Sequence, residues 1–534
     1  MSTWIEKGIS LLRYIVESTD FGYTSFVFVG CLALFFIIYF LLRVQRAKRI
    51  WILLANLVFY AWSGSVSALM IVTATGVIVY LTSRRIETIY ARSEGRKVDP
   101  ALKKETRRYL ILALCLILAV WVYVKVGRNF DLISVASFRD FSFLRTILVP
   151  LGISYYSLSS IGYLLDVYWK KTVPEHNFLT LFTVMIYFPH IVQGPISRYQ
   201  KLTDQMHHLP GPNYKRVCYG LQLMLYGYIK KMVLADRIAV FTGQVFTNYK
   251  EYQGITFVVA LLLSVFQIYM DFSGCVDIAL GISEVIGIKL DQNFNHPFFS
   301  RSAEEFWRRW HITLGTWFKD YVYFPILVSP HYKKWSRQIK DKHGSTAGKV
   351  FGAVVPLGTV WILIGLWHGT GLTYILWGIY YGAIIIISVL IGDGYKRLSG
   401  RLKINTDSKA FHLFQCLRTG FIFLVGRLIT APGTIAASAW IFGSILTTFN
   451  PWALFDGTLL GIGLTASDFV ILAAGFLFVL IISFLQERGS VREMISRRCL
   501  PIRWGLYIAA ILVVLILGVY GAGYDASTFI YGQF

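Results

Sequence analysis

Histidine is the side chain that changes charge near neutral pH, and it is costly in lipid. A histidine closing a long apolar run therefore marks a place where protons are handled. His368 is such a residue, standing in Leu366-Trp367-His368-Gly369 after the apolar run Val350 to Trp367. A second, His311, closes Glu304-Glu305-Phe306-Trp307-Arg308-Arg309-Trp310-His311. Each follows a tryptophan. Together they read as one site, in which an imidazole removes a hydroxyl proton. For His311 taken alone a hydrogen bond to a neighbouring helix is an equal alternative, whereas the context of His368 favours catalysis over that role.

The elements that must hold them carry their own signals. Ser302, with Glu305 three residues on, matches a capping box, which predicts that the helix bearing His311 starts there. On that helix Glu304 pairs with Arg308 and Glu305 with Arg309, four apart, while Trp307 and His311 share a face. Arg308 is either an interfacial anchor or a ligand for phosphate or thioester-carrier groups. On the second helix Trp361, Gly365 and His368 line one face, and Gly365 leaves room there for a substrate. Trp367 sits beside His368, and Gly369 and Gly371 end the helix. Upstream, Asp271 and Asp277 follow a strongly apolar helix and approach the membrane zone, where acids face a cavity or a partner. Asn293-Phe294-Asn295-His296-Pro297 forms a polar turn between these parts.

The composition demands a membrane setting. Of 534 residues, 55% are hydrophobic and 15% charged, and the mean hydropathy is +0.56; a soluble domain is far less apolar. Six runs approach the roughly 20 residues a crossing helix needs: Phe26 to Leu42, Leu110 to Val126, Val350 to Trp367, Leu372 to Ile391, Phe469 to Leu485 and Leu506 to Tyr520. Eight shorter or weaker runs lie between them, among them Phe257 to Ile282 and Phe411 to Leu428.

The net charge of +23 would fit nucleic-acid binding in a soluble chain, but its distribution instead follows the rule that basic loops stay cytoplasmic. Arg43, Arg46, Lys48 and Arg49 follow the first span, and nine Lys or Arg residues lie between Arg84 and Arg108. Lys170-Lys171 and the basic segment Arg198 to Arg216 also look cytoplasmic, yet they flank a single apolar stretch. That stretch, containing Phe188-Pro189-His190-Ile191-Val192-Gln193-Gly194-Pro195, is therefore expected to be re-entrant. The cysteines at 31, 115, 218, 275, 416 and 499 show no metal or redox spacing and are expected to pack in the core. Residues 3 to 17 alternate Ile5, Ile9, Leu12 and Val16 with Glu6, Ser10, Arg13 and Glu17, the pattern of an interfacial helix rather than a signal peptide.

In order and spacing, several stretches resemble the membrane-bound O-acyltransferases, in particular the bacterial branch that acylates cell-surface polymers. They are Phe188-Pro189-His190 through Tyr199, Asp271-Phe272-Ser273-Gly274, Asn293-Phe294-Asn295, Phe306 to His311, Gly365 to Gly369 and Phe529-Ile530-Tyr531. The family's Leu-Gly-Gly-Asn-Arg continuation is replaced here by Tyr323 to Pro330, and its glutamine after Phe-Pro by His190. The resemblance implies an all-α polytopic bundle with re-entrant segments around a transmembrane tunnel or funnel. It also implies catalytic roles for His368 and His311, with Trp307, Trp367, Asp277, Asp271, Asn295 and Arg308 in support. The expected division is an N-terminal interfacial helix (1–20), N-terminal spans (21–187), a catalytic core (188–391) and C-terminal spans (392–534).

On this reading a cytosolic thioester, acetyl-CoA or an acyl carrier protein, is co-substrate, with no tightly bound cofactor and no metal. The acceptor is an extracytoplasmic glycan hydroxyl or a partner acyltransferase. His368 takes the hydroxyl proton, and His311 orients the acyl group or polarises its carbonyl. Acetate is the first choice of acyl group and D-alanine the second. The chain is expected in the bacterial plasma membrane with the bilayer as partner and no nucleic acid. A proton-coupled transporter or flippase using Asp271, Asp277, His311 and His368 as a relay is the rival from another class, and a scaffold indifferent to both histidines is a third.

Overall fold

The computed structural model describes residues 22–63, 66–93, 99–123, 151–369 and 371–520. The expected interfacial helix at 1–20 and the terminal Phe529-Ile530-Tyr531 lie outside them. Among the described residues the regular structure is helical, with one isolated antiparallel bridge, Phe294 to Trp310. Among the described residues seven helices are long and apolar enough to cross a membrane: Ala68–Ala91, Ile255–Ile286, Pro330–His368, Leu372–Arg401, Lys409–Thr430, Ala466–Arg488 and Leu500–Leu517. The chain is an all-α polytopic membrane protein. Helix starts follow local chemistry. Ser408 accepts from the Phe411 N–H, and Thr465 with Asp468 forms a complete capping box.

The chain divides into two compact units, one of Met1–Met232, Gly274–Asp291 and Gly505–Gln533, the other of Val233–Ser273 and Gln292–Trp504. In the first, the apolar stretch flanked by basic segments is not a crossing helix. It breaks into Phe178–Met185 and Phe188–Ile191, because Pro189 and the following Gly194-Pro195 deny the chain continuous i to i−4 bonds. Such a break strands backbone groups. Asn56 takes up two of them, donating from Nδ2 to the Thr183 carbonyl at 3.0 Å and accepting from the Phe188 N–H at 3.0 Å. The Tyr23 hydroxyl donates to the Phe188 carbonyl at 2.6 Å. Asn56 is fully buried, so Asn56→Ala should cost about 1–3 kcal/mol by orphaning both groups. The thermal midpoint in detergent measures this, and an unchanged midpoint would exclude the clamp.

The flanks of this stretch come together, as the charge pattern requires of a re-entrant segment. Glu175 on one side accepts from His207 on the other at 3.2 Å, and Arg49 meets the same imidazole at 3.0 Å. Arg198 reaches Asp166 at 3.8 Å, and the Tyr90 hydroxyl donates to the Tyr168 carbonyl at 2.9 Å. Four of the seven basic segments expected in the cytoplasm, those within residues 43–49, 84–108, 170–171 and 198–216, are thus held near one another; the other three are Lys333 to Lys349, Lys396 to Lys409 and Arg488 to Arg503.

Two expectations change. Asp271 and Asp277 do not follow an apolar helix but lie inside it, since Ile255–Ile286 runs unbroken through both. Cys31, Cys115 and Cys499 are exposed rather than packed in the core, where only Cys275 is fully buried; Cys31 and Cys115 lie on apolar helices, whose outer faces need no shielding from water in lipid, and Cys499 in the basic segment before Leu500–Leu517.

Candidate active site

Both histidines belong to the second unit. Ser302 caps the helix Ala303–Arg309, its hydroxyl accepting from the Glu305 N–H at 3.1 Å. Glu305 returns the favour one residue earlier than a capping box would, accepting from the Arg301 N–H at 2.8 Å. The charge pairs fall as the spacing predicts, Glu305 to Arg309 at 2.8 Å and Glu304 to Arg308 at 3.8 Å. Its backbone and Arg309 contacts hold the Glu305 carboxyl below its usual range, although partial burial opposes them.

His311 does not ride on that helix. The helix stops at Arg309 because the chain turns to pair with the polar turn upstream. The Asn295 N–H donates to the Arg309 carbonyl at 2.9 Å and the Ile312 N–H to the Asn293 carbonyl at 3.0 Å. This pairing holds His311 at φ 47, ψ 51, in the left-handed region, a conformation that costs a non-glycine residue of order 1–3 kcal/mol and clusters at functional sites. Trp307 and His311 therefore do not share a helical face.

The imidazole of His311 is 3% exposed. Its Nδ1 lies 3.2 Å from Asn293 Oδ1, which also accepts from the Thr313 backbone N–H at 3.1 Å and the Thr313 hydroxyl at 2.8 Å. The backbone N–H identifies that Asn293 atom as oxygen, so the facing His311 Nδ1 must carry the proton and the neutral ring presents its lone pair at Nε2. Burial pushes the His311 imidazole well below its ordinary range, and the nearby His368 acts in the same direction.

His368 is the last residue of Pro330–His368, a helix interrupted at Gly344 and closed by the Gly369 N–H donating to the Gly365 carbonyl at 3.2 Å. Trp367 joins the two histidines: its ring centroid is 4.9 Å from His368 and 5.8 Å from His311. Phe272 covers His311 edge-on at 4.8 Å, and Trp377 covers His368 at 5.0 Å. Trp307 packs on Trp361 at 5.1 Å, Trp377 at 5.6 Å and Tyr381 at 4.7 Å, forming the aromatic wall behind His368. The predicted substrate space at Gly365 is filled. A Cβ there would meet the Tyr374 carbonyl at 2.6 Å and Gly378 Cα at 3.4 Å, so this glycine serves the close approach of Leu372–Arg401.

Of the other candidates, Asp271 is buried. Asp277 is engaged by Lys230 at 2.6 Å in the first unit. Asn295 is exposed, while Asn293, two residues earlier, touches the histidine. Arg308 is exposed at the surface with Glu304. Sequence reasoning missed Asn293, Phe272, Trp377 and Tyr381. Asn293 was within reach, since an extended Asn-Phe-Asn places both amides on one face, but nothing local says which meets a histidine.

Residues 14–338 match the model of MBOAT, the membrane-bound O-acyltransferase family. The chain is a membrane-bound O-acyltransferase. This enzyme is 29% identical over 439 residues to the probable alginate O-acetylase of Pseudomonas aeruginosa, covering 81% of this chain and 76% of that one. It is 29% identical over 409 residues to the peptidoglycan O-acetyltransferase of Helicobacter pylori, covering 70% and 71%. The teichoic acid D-alanyltransferase of Bacillus subtilis is 29% identical over 243 residues, covering 44% and 58%. Family membership decides against the transport reading. The O-acyltransferase uses an acyl donor as co-substrate.

Proposed function

We propose that this O-acyltransferase moves an acetyl group from a cytosolic thioester to a hydroxyl of a cell-surface polysaccharide, or to a partner that passes it on, in the bacterial plasma membrane. The observation that carries the reading is the pair of buried histidines on either side of Trp367. Acetyl is preferred because the relatives named as O-acetylating enzymes match 81% and 70% of the chain, against 44% and 55% for two named as D-alanylating.

The hydroxyl oxygen attacks the thioester carbonyl carbon while an imidazole takes the hydroxyl proton. The C–S bond then breaks and the proton passes to the departing thiolate. His368 is assigned as the base. The tautomer set by Asn293 revises the part given to His311: with its proton on Nδ1 and a lone pair at Nε2, neutral His311 accepts a hydrogen bond and cannot polarise a carbonyl by donating one. It orients the hydroxyl or the base instead. The aromatic enclosure limits water, which would otherwise consume the thioester.

Mass analysis of surface glycans from cells with and without the protein tests the reading. Loss of acetyl esters is expected; intact esters with missing D-alanine would overturn the choice of acetate. The pH dependence follows from the depressed His311 imidazole. A group with lowered pKa stays neutral as pH falls through the usual 6.5, so protonation of His311 should contribute to the acid limb of kcat only below that value. Direct titration of the His311 ring by NMR checks this, and a ring that takes up its proton at or above 6.5 would contradict the assignment of a neutral His311.

A further inference from the structure

In the first unit, helix Ile153–Tyr168 ends in a Schellman motif: the Lys171 N–H donates to the Asp166 carbonyl at 2.8 Å and the Lys170 N–H to the Val167 carbonyl at 3.0 Å. This places Lys170 at φ 59, the position where a helix terminus ordinarily uses glycine or asparagine. A lysine here forfeits the easier backbone. Its side chain is directed: the ammonium lies 4.6 Å from the centre of the Tyr90 ring, which is itself fixed by its bond to the Tyr168 carbonyl. The Lys171 ammonium stands 4.6 Å over Trp169. Both lysines line a cleft of about 560 Å³ together with Tyr90, Thr172, Gln200 and Glu87, a size usual for small-ligand sites.

The charge balance of the cleft is positive. Nearby cations are matched by carboxylates: Arg85 and Arg92 by Glu105, Arg198 by Asp166, Lys201 by Asp291. Neither Lys170 nor Lys171 has a carboxylate partner among the described residues. Glu87, the one acid lining the cleft, is already held by Arg84 and by His176. A strained, aromatic-braced ammonium beside a second one, both without counter-ions, suits a compact multiply charged anion.

We propose that this cleft binds the phosphate or pyrophosphate group of a ligand, the ammoniums of Lys170 and Lys171 supplying the charge, while the Thr172 hydroxyl is engaged in donating to Gln200 Oε1 at the cleft wall. Two sources share that chemistry, the phosphates of a nucleotide-bearing thioester donor and the headgroup of an anionic lipid. The first source rests on the acyl-transfer reading; the phosphate site itself does not.

The test uses the full-length protein in neutral detergent, titrated with inorganic pyrophosphate and followed by equilibrium dialysis. Saturable, salt-sensitive binding is expected, weakened at least about tenfold in Lys170→Gln/Lys171→Gln, a loss of about 1.4 kcal/mol. Lys170→Gly is the decisive variant. It relieves the left-handed backbone, so its thermal midpoint should hold or rise while its pyrophosphate affinity falls, which a purely structural lysine would not produce. Competition by coenzyme A assigns the site to a soluble donor, and competition by short-chain phosphatidylglycerol in mixed micelles to a lipid headgroup. Either supports the site. Absence of saturable pyrophosphate binding, or equal binding by the double variant, overturns it. His368→Ala should bind pyrophosphate normally while losing transfer, so failure of the site and failure of the catalytic reading give different results.

Discussion

His368→Ala is expected to lower acyl transfer by about 10²–10⁴-fold, the range that general base catalysis supplies, with protein abundance in the membrane unchanged. The imidazole closes its helix and touches Trp367 and Trp377, so truncation alone disturbs packing. His368→Phe restores an aromatic ring without a basic nitrogen and should be as inactive as alanine. Transfer assayed with membranes or purified enzyme, set beside thermal midpoints, separates the two effects. His311→Ala should lose activity comparably, but it also places alanine at φ 47. His311→Gly removes the imidazole without the backbone penalty, and loss of activity there belongs to the ring. If the histidines act as a unit, the double variant should be little worse than either single one. Full acylation by His368→Ala would end the assignment.

What the sequence disclosed was whatever depends on near neighbours. Ser302 as a helix cap, the pairs Glu304 with Arg308 and Glu305 with Arg309, and the break at Phe188-Pro189 all arise within one or two turns of chain. That the stretch around Phe188-Pro189 is not one continuous crossing helix was legible for a different reason: charge placement is a bilayer-scale constraint, and two basic flanks around one apolar stretch leave few solutions. The pairing of His311 with His368 was legible as chemistry but not as geometry. The helix from Ser302 stops short of His311 because Phe294 pairs with Trp310, a contact that no local propensity encodes. The spacing of Trp361, Gly365 and His368 points to open space at Gly365, yet small residues in membrane helices are as often where another backbone comes close, and Gly378 does so. Asp277, expected to face a cavity or a partner, meets Lys230, a residue 47 positions earlier in the chain. In each case a distant segment decided the role.

Asn293 is the clearest such case, and its replacement carries the second large expected effect. Its Oδ1 accepts from His311 Nδ1 and from both the backbone N–H and hydroxyl of Thr313, so one buried oxygen fixes the ring, its tautomer and the turn that strains it. Asn293→Leu removes that acceptor. The His311 proton is then no longer held on Nδ1, and kcat should fall about 10–100-fold, as when other partners that orient histidines are removed. Asn293→Asp keeps an acceptor oxygen in the same place but adds negative charge, which favours the protonated imidazole. The His311 imidazole should therefore titrate at higher pH, and the acid limb of kcat should move upward while the rate on the alkaline plateau stays near that of the unaltered enzyme. Rate profiles against pH for the three proteins, measured above each one's stability limit, make the distinction. An asparagine that merely packs would lower folded yield and leave the limb where it was. A positioning asparagine moves the limb in the aspartate variant and lowers the plateau in the leucine variant, and a limb unmoved in Asn293→Asp would show that His311 does not titrate in the reaction.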